Sequence, residues 1–458
     1  MSRNKEYNSC NLQVSCENCE SNVFCEAWVR FVLLHNDTKS YAHFDKRVSL
    51  ALPTIREYVQ TERNIAMHRF YPFVHFTKNH KRFGKPKKPR ELYYCSHLDR
   101  CVYQRYAFLL NQKYNERVTK LGISNVSIAY RDNLNKNNID FAKVAFDAIK
   151  EQGHCLVMVG DFTNFFDRLN HKYLKTMICN LLEKNELPAD HYAVFKNITQ
   201  FASWDWKSIV EHCGYKITER GIRTKLNRQK QGVLMTKEQF RSGKKYFKVN
   251  RSGIGIPQGS PISAILSNVY MLDMDVELNN FVVEHNGMYM RYSDDFIIVL
   301  PYDNDETAME YKNKVLTYFQ NKNGLVELHE DKTNLLIYND GTFSSFPDGN
   351  PATLDYLGFI FDGTSIKLRA KSATKYYYRM RRKAKHIGKQ NWISPTGKRI
   401  TAKNLYRIYS TNDEQQTFID YAKRAKHRLQ LNDPVTNALI KHHKRKIANA
   451  IKDGTDKS

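Results

Sequence analysis

The chain has 458 residues and 41 % hydrophobic content, enough apolar material for two or three domains with sizeable cores, which excludes a disordered or fibrous protein. Lys and Arg number 72 against 47 Asp and Glu, a formal net charge of +25 with a pI near 9.5; this argues against an enzyme of small metabolites and for an anionic polymer as partner. No apolar run of about 18 residues occurs, nor an apolar stretch behind a basic start, so no membrane partner or signal peptide is expected and the location read from the sequence is cytoplasmic.

Nine cysteines, an odd number without a secretion signal, suit a reducing compartment. Four of them, Cys10, Cys16, Cys19 and Cys25, lie close together, and the central CENC is a CxxC able to hold Zn2+ through thiolates. The outer spacings are not those of a common zinc knuckle, and ordinary thiols are the alternative.

No internal repeat is visible, so the elements come from periodicity and punctuation. Residues 26–70 read as mostly helical. A loop rich in Lys, Pro and Gly is expected over 77–90 (TKNHKRFGKPKKPR), followed by a helix through Val102–Leu110. In HCLVMVGDFTNFFD the apolar run Cys155–Val159 leads to Gly160 and Asp161, a buried strand delivering an acid at its end. Residues 223–253 are polar and basic and read as a hairpin or surface loop. After the Gly255–Pro261 stretch, SAILSNVYMLDMDVELNNFV has the 3.6-residue spacing of a helix. Met288–Leu300 (MYMRYSDDFIIVL) predicts two apolar strands around a turn that carries Asp294 and Asp295.

The charge is concentrated at the C-terminal end, where residues 367–458 hold 24 Lys and Arg against 6 Asp and Glu, a net +18. Tyr376, Tyr377, Tyr378, Trp392, Tyr406 and Tyr409 are interleaved with Lys375, Arg379, Arg381, Arg382, Lys383 and Arg407. Such a mixture pairs phosphates and stacks on bases; a merely solvated helical surface is the bland alternative.

Asp161, Asp294 and Asp295 form a pattern with a chemical reading. Nucleotidyl transfer is served by two divalent ions about 4 Å apart, and Mg2+ prefers carboxylate oxygens. One Asp at a strand end and others in a neighbouring hairpin turn can supply them. An Asp-Asp pair in a turn is weak by itself, because Asp favours turns, but apolar strands flanking both sides pin the like charges to a sheet.

With those residues in view, the chain resembles reverse transcriptases. DFTNFFD from Asp161 is similar to their first catalytic motif, GIPQGSPIS at 255–263 to the second and RYSDDF at 291–296 to the third. The resemblance covers roughly residues 80–365 and is nearest to bacterial enzymes of the group II intron, retron and defence-associated kinds.

The resemblance implies that Asp161, Asp294 and Asp295, with the carbonyl of Phe162, hold two Mg2+ ions. Phe166 matches the aromatic gate under the incoming sugar, where a ribose hydroxyl would clash, so DNA is the expected product. Gln258 and Gly259 resemble the loop that cradles base and sugar. Arg131 in SIAYRDN resembles the Arg that clamps the triphosphate, helped by Lys85–Arg90, and Lys332 resembles the Lys near the leaving group. Tyr356, Leu357 and Gly358 match the primer-positioning turn, and Lys375, Arg379, Arg381 and Arg382 are the nucleic-acid-binding candidates.

The implied fold is α+β, a right-hand polymerase with fingers, a palm with an antiparallel sheet and a helical thumb. The boundaries read along the chain are an N-terminal helical extension over 1–75, fingers over 76–154, palm over 155–365 with an insertion at 170–255, and a basic thumb over 366–458. The implied activity is RNA-directed DNA synthesis, with RNA template and DNA product as partners. No HNH-like or RNase H-like cluster is recognisable, which favours a stand-alone bacterial enzyme in anti-phage defence, with a cognate noncoding RNA or a defence protein as further partner. Two alternatives stay open: a template-independent or protein-primed deoxynucleotidyl transferase, and a catalytically silent RNA-binding protein on a polymerase scaffold.

Overall fold

The computed structural model describes residues 22–82, 85–218, 221–228, 232–320, 326–328, 333–394, 397–411 and 417–456. The chain divides into two units, each assembled from three stretches: Met1–Ser124, Thr163–Val276 and Lys322–Glu327 in one, and Asn125–Phe162, Glu277–Asn321 and Leu328–Ser458 in the other. Linear boundaries and compact units therefore do not coincide, because strand pairing joins segments far apart in sequence.

The second unit is built on a five-stranded antiparallel sheet, in the order Met288–Tyr292, Asp295–Leu300, His154–Asp161, Asn334–Asn339 and Thr342–Ser345. Residues 155–160 are buried without alternation, as expected of a strand covered on both faces. The helix Asn138–Gln152 lays Ile139, Phe141, Ala142, Ala145, Phe146 and Ile149 into this core, and it starts at a capping box between Asn137 and Asp140.

A smaller sheet, Leu354–Tyr356, Phe359–Phe361 and Ile366–Leu368, leads into the basic C-terminal helices. In Ala370–Lys389 the residues Ala373, Tyr376, Met380, Ala384 and Gly388 are buried, a stripe at helical spacing. It packs on His443–Thr455 closely enough that a Cβ on Gly388 would meet the Ile451 carbonyl at 2.1 Å.

The first unit holds a four-stranded sheet in the order Lys85–Tyr94, Phe73–Arg82, Ala202–Asp205 and Lys248–Val249. Trp204, fully buried, centres its core with Val74, Ile209, Val210, Ile222 and Leu226. The helix His97–Lys120 covers the one expected through Val102–Leu110 and begins where Ser96 caps the Asp99 amide.

Two expectations are corrected. The loop expected over 77–90 is a long hairpin; Pro86 and Pro89 sit on the strand at the sheet's edge, the place in a sheet where proline is tolerated. The surface loop expected over 223–253 contains the helices Ile222–Asn227 and Lys237–Ser242. Ile222 and Leu226, one turn apart, are buried and anchor the first, and a capping box between Thr236 and Gln239 starts the second.

Candidate active site

The acidic residues are placed by strand register. Asp161, last in its strand, pairs directly with Asp295, first in the neighbouring one. Directly opposed residues of an antiparallel pair have Cα atoms about 5 Å apart and side chains on one face, well inside the roughly 10 Å that sharing an ion pair requires. Asp294 stands one residue earlier, in the two-residue turn between Tyr292 and Asp295. Its carbonyl accepts from the Phe162 amide at 3.1 Å, so the chain leaving Asp161 is tied to the turn.

This register is enforced by packing. A Cβ on Gly160 would lie 2.8 Å from the Phe296 ring and 2.9 Å from the Thr333 hydroxyl. Phe296 is fully buried, with Phe162 and Phe319 at ring separations of 5.6 and 5.0 Å.

The turn is held from a second side by residues that sequence reading missed. Ser293 has a left-handed backbone, φ 64°, and its carbonyl accepts from the guanidinium of Arg291 at 2.9 Å. Arg291 is fully buried, and its backbone bonds with Val126 and Ile128 at 2.8 and 3.0 Å. Tyr130, exposed and left-handed at φ 63°, donates its hydroxyl to Ser293 Oγ at 3.2 Å. Non-glycine residues in this region cost of order 1–3 kcal/mol each, and such strain collects at functional sites. The signal was present, since Arg291 and Ser293 lie inside RYSDDF and Tyr130 precedes Arg131.

Arg131 is 5 % exposed, and its Nη1 donates to the Ser127 carbonyl at 3.0 Å, so the guanidinium is buried rather than presented to solvent. In the same unit, Leu357 and Gly358 form a two-residue turn between the paired Tyr356 and Phe359, with φ 46° and 96°. Asn138 Nδ2 donates to the Leu357 carbonyl at 3.0 Å and to Tyr421 Oη at 2.9 Å. Tyr356 is buried, and burial, with the Asp295 charge adding, pushes its phenol far above the usual range. Lys375, Arg379, Arg381 and Arg382 are all exposed, whereas Tyr376 is core, its hydroxyl donating to the Tyr409 carbonyl at 2.6 Å.

Phe166, Gln258 and Gly259 gather in the first unit. The Phe166 carbonyl accepts from the Ile256 amide, and the Gln258 carbonyl from the Tyr93 amide, both at 2.9 Å. Burial raises the Asp167 carboxyl above its ordinary value, opposed by a hydrogen bond from the Gln258 carboxamide. Gly259, at φ 115°, passes so near Tyr93 that a Cβ would lie 2.4 Å from its carbonyl, so no other residue fits there. Lys332, Cys10, Cys16 and Cys19 lie outside the described residues, as does the side chain of Cys25.

Among the described residues no group of three or more His, Cys, Asp or Glu is placed to hold a metal ion. The opposed Asp161 and Asp295 still fit Mg2+, which is bound through one or two carboxylates, completed by water and substrate phosphates, rather than by an all-protein cage.

Residues 215–361 match the family model described as "Reverse transcriptase (RNA-dependent DNA polymerase)". Over these residues the chain is similar to a reverse transcriptase domain. The match spans the Gly255–Ser263 loop, the RYSDDF turn and Tyr356-Leu357-Gly358, while Asp161 lies before it and joins the site through strand pairing. With its helices and antiparallel sheets, the chain has an α+β fold of the right-hand polymerase class.

Among solved structures the chain is similar to apo telomerase from Candida tropicalis truncated from its C-terminal domain, at 12 % identity over 70 % of this chain and 61 % of that one, with a TM-score of 0.38. It is similar to apo telomerase from Candida tropicalis at 13 % identity over 93 % of this chain and 69 % of that one, TM-score 0.39. A third is telomerase from Candida albicans in complex with a TWJ fragment of telomeric RNA, at 13 % identity over 94 % of this chain and 69 % of that one, TM-score 0.37. The chain thus spans 61 % of the length of the first of these, and at such identities and scores the likeness says nothing of substrate or partner. No curated protein matches the sequence. No helix among the described residues is long and apolar enough to cross a membrane.

Proposed function

We propose that the protein copies an RNA template into DNA by two-metal nucleotidyl transfer. The primer 3′ hydroxyl attacks the α-phosphate of a deoxynucleoside triphosphate, a new phosphodiester forms, and pyrophosphate leaves. The observation carrying this reading is the direct pairing of Asp161 with Asp295 on one face of the sheet, beside the turn that holds Asp294. Bound Mg2+ would supply activation of the hydroxyl and neutralisation of the phosphates. Asp161, Asp294, Asp295 and the Phe162 carbonyl are the residues assigned to hold it.

Other roles rest on the motif resemblance: Phe166 for excluding ribose, Gln258, Gly259, Arg131 and Lys332 for the nucleotide, Tyr356-Leu357-Gly358 for the primer, and Lys375, Arg379, Arg381 and Arg382 for nucleic acid. The same resemblance supports a cytoplasmic bacterial enzyme of the retron or defence-associated kind, acting against phage with a cognate RNA or protein.

The test uses the purified protein with an RNA template, a DNA primer, labelled deoxynucleotides and Mg2+. Asp294→Asn/Asp295→Asn is expected to lower incorporation by about a thousandfold or more; equal incorporation by variant and wild type overturns the reading. Incorporation that ignores template sequence points to untemplated transfer instead. For the defence role, phage plating on cells carrying either form is expected to differ, and identical plaque counts remove it.

A further inference from the structure

Two grooves run along the exposed side of the helix Ala370–Lys389. One, of about 490 Å3, has Lys375, Arg379, Arg407 and Phe418 in its walls. The other, of about 630 Å3, is lined by Tyr377, Tyr378, Arg381, Arg382, Lys385 and Lys446. At about 100° per residue, the helix positions lining the two point roughly 140° apart, so the grooves open on opposite flanks.

A relay of side-chain contacts links the first groove to the Leu357-Gly358 turn. Phe418 stacks on Tyr421 at 5.8 Å, and Tyr421 Oη accepts from the Asn138 amide that also holds the Leu357 carbonyl. It therefore belongs with the primer–template duplex of the proposed reaction. The second groove shares none of these residues.

The second groove is internally braced. Tyr377 Oη donates to the Ala438 carbonyl at 3.0 Å, and Lys446 Nζ donates to Tyr377 Oη at 2.9 Å while lying 5.0 Å from its ring centre. Arg382 stands 5.8 Å over the ring of Tyr378, which is 63 % exposed. No acidic partner is present for Arg381 or Arg382 among the described residues, and Lys385 is 4.0 Å from Asp453. An exposed ring with Arg382 over one face, beside Arg381, neither cation paired with a carboxylate among the described residues, offers a stacking platform beside phosphate donors. A duplex keeps its base faces stacked internally, so only unpaired bases can use the ring.

We propose that this second groove holds a single-stranded stretch of RNA outside the primer–template duplex. The proposal rests on the polymerase reading only for the choice of RNA as the polymer; the binding itself needs no catalysis.

The test is fluorescence anisotropy on the full chain with two probes: an oligouridine of about 12 nucleotides and an RNA–DNA duplex. Tyr378→Ala, which removes the ring and no charge, is expected to weaken oligouridine binding about tenfold, and to weaken it far more than duplex binding. Arg381→Gln/Arg382→Gln should lower the slope of log affinity against log salt for oligouridine by about 1.4. Lys375→Gln/Arg379→Gln should shift the loss towards the duplex. Unchanged oligouridine affinity, equal loss of both probes, tighter binding of the deoxy oligomer, or displacement of oligouridine by polyglutamate would each overturn the proposal. Because no step measures synthesis, failure here leaves the polymerase reading standing, and failed synthesis leaves the groove to be judged by binding alone.

Discussion

The catalytic turn and the helix Ala370–Lys389 place their charges by opposite means. Asp161 and Asp295 are set by backbone hydrogen bonds across a buried sheet, where a slip of one residue would send a side chain to the other face. Lys375, Arg379, Arg381 and Arg382 are set by which side of a helix faces away from the core. The difference teaches that the carboxylates act as a fixed pair and the cations as a summed field, so single changes should be severe in one region and graded in the other.

The largest break in that contrast is Asp161→Asn. It is expected to reduce single-turnover incorporation by about a thousandfold, against a loss of a few-fold for Lys375→Gln; similar losses for both would erase the distinction. Next is Gly160→Ala, whose Cβ would press on Phe296 at 2.8 Å. Overpacking of this kind costs about 1–3 kcal/mol, measured as a lower urea midpoint, with activity falling as the register loosens.

A finer probe is Tyr130→Phe, which removes the hydrogen bond to Ser293 at the turn. The bond is worth about 0.5–1.5 kcal/mol, so its loss should slow incorporation about two- to tenfold and lower the urea midpoint only slightly. The graded side is sharpened by Arg379→Gln, expected to lower the salt slope of duplex binding by about 0.9 without changing the metal dependence of synthesis.

The smallest effect lies at the turn between Phe359–Phe361 and Ile366–Leu368. Burial tends to raise the Asp362 carboxyl, but hydrogen bonds from Lys367, Ser365 and Thr364 outweigh it and hold it far below the usual range. A depressed carboxyl contributes stability that is complete above its unfolded value and is lost as pH falls through the folded one. The unfolding midpoint of the wild type should therefore fall in strong acid more than that of Asp362→Asn.

Periodic segments were legible from the residues alone. The strand ending at Asp161, the hairpin around Asp294 and Asp295, the helix Ser263–Glu284 and the helix through Val102–Leu110 all appear as expected, because each declares itself through local apolar spacing or turn chemistry. The hairpin of Phe73–Arg82 with Lys85–Tyr94 did not, since Lys, Pro and Gly read as a loop unless the strand is known to lie on an edge. Within the candidate site the motif residues were readable, while the bracing of the turn by Tyr130 and the buried Arg291 was not. Burial of an Arg depends on distant partners that no local pattern announces.

By itself the sequence determined which side chains carry chemistry: three carboxylates at a strand end and a turn, glycines where the backbone must pass close, and a basic C-terminal segment. Only the tertiary structure decided that Asp295 rather than Asp294 stands opposite Asp161, that Tyr376 and Tyr409 are core while Tyr378 is open, and that the cations of one helix divide between two grooves. Those outcomes depend on strand register and on which face of a helix meets its neighbours. Both are set by contacts between residues far apart in the chain.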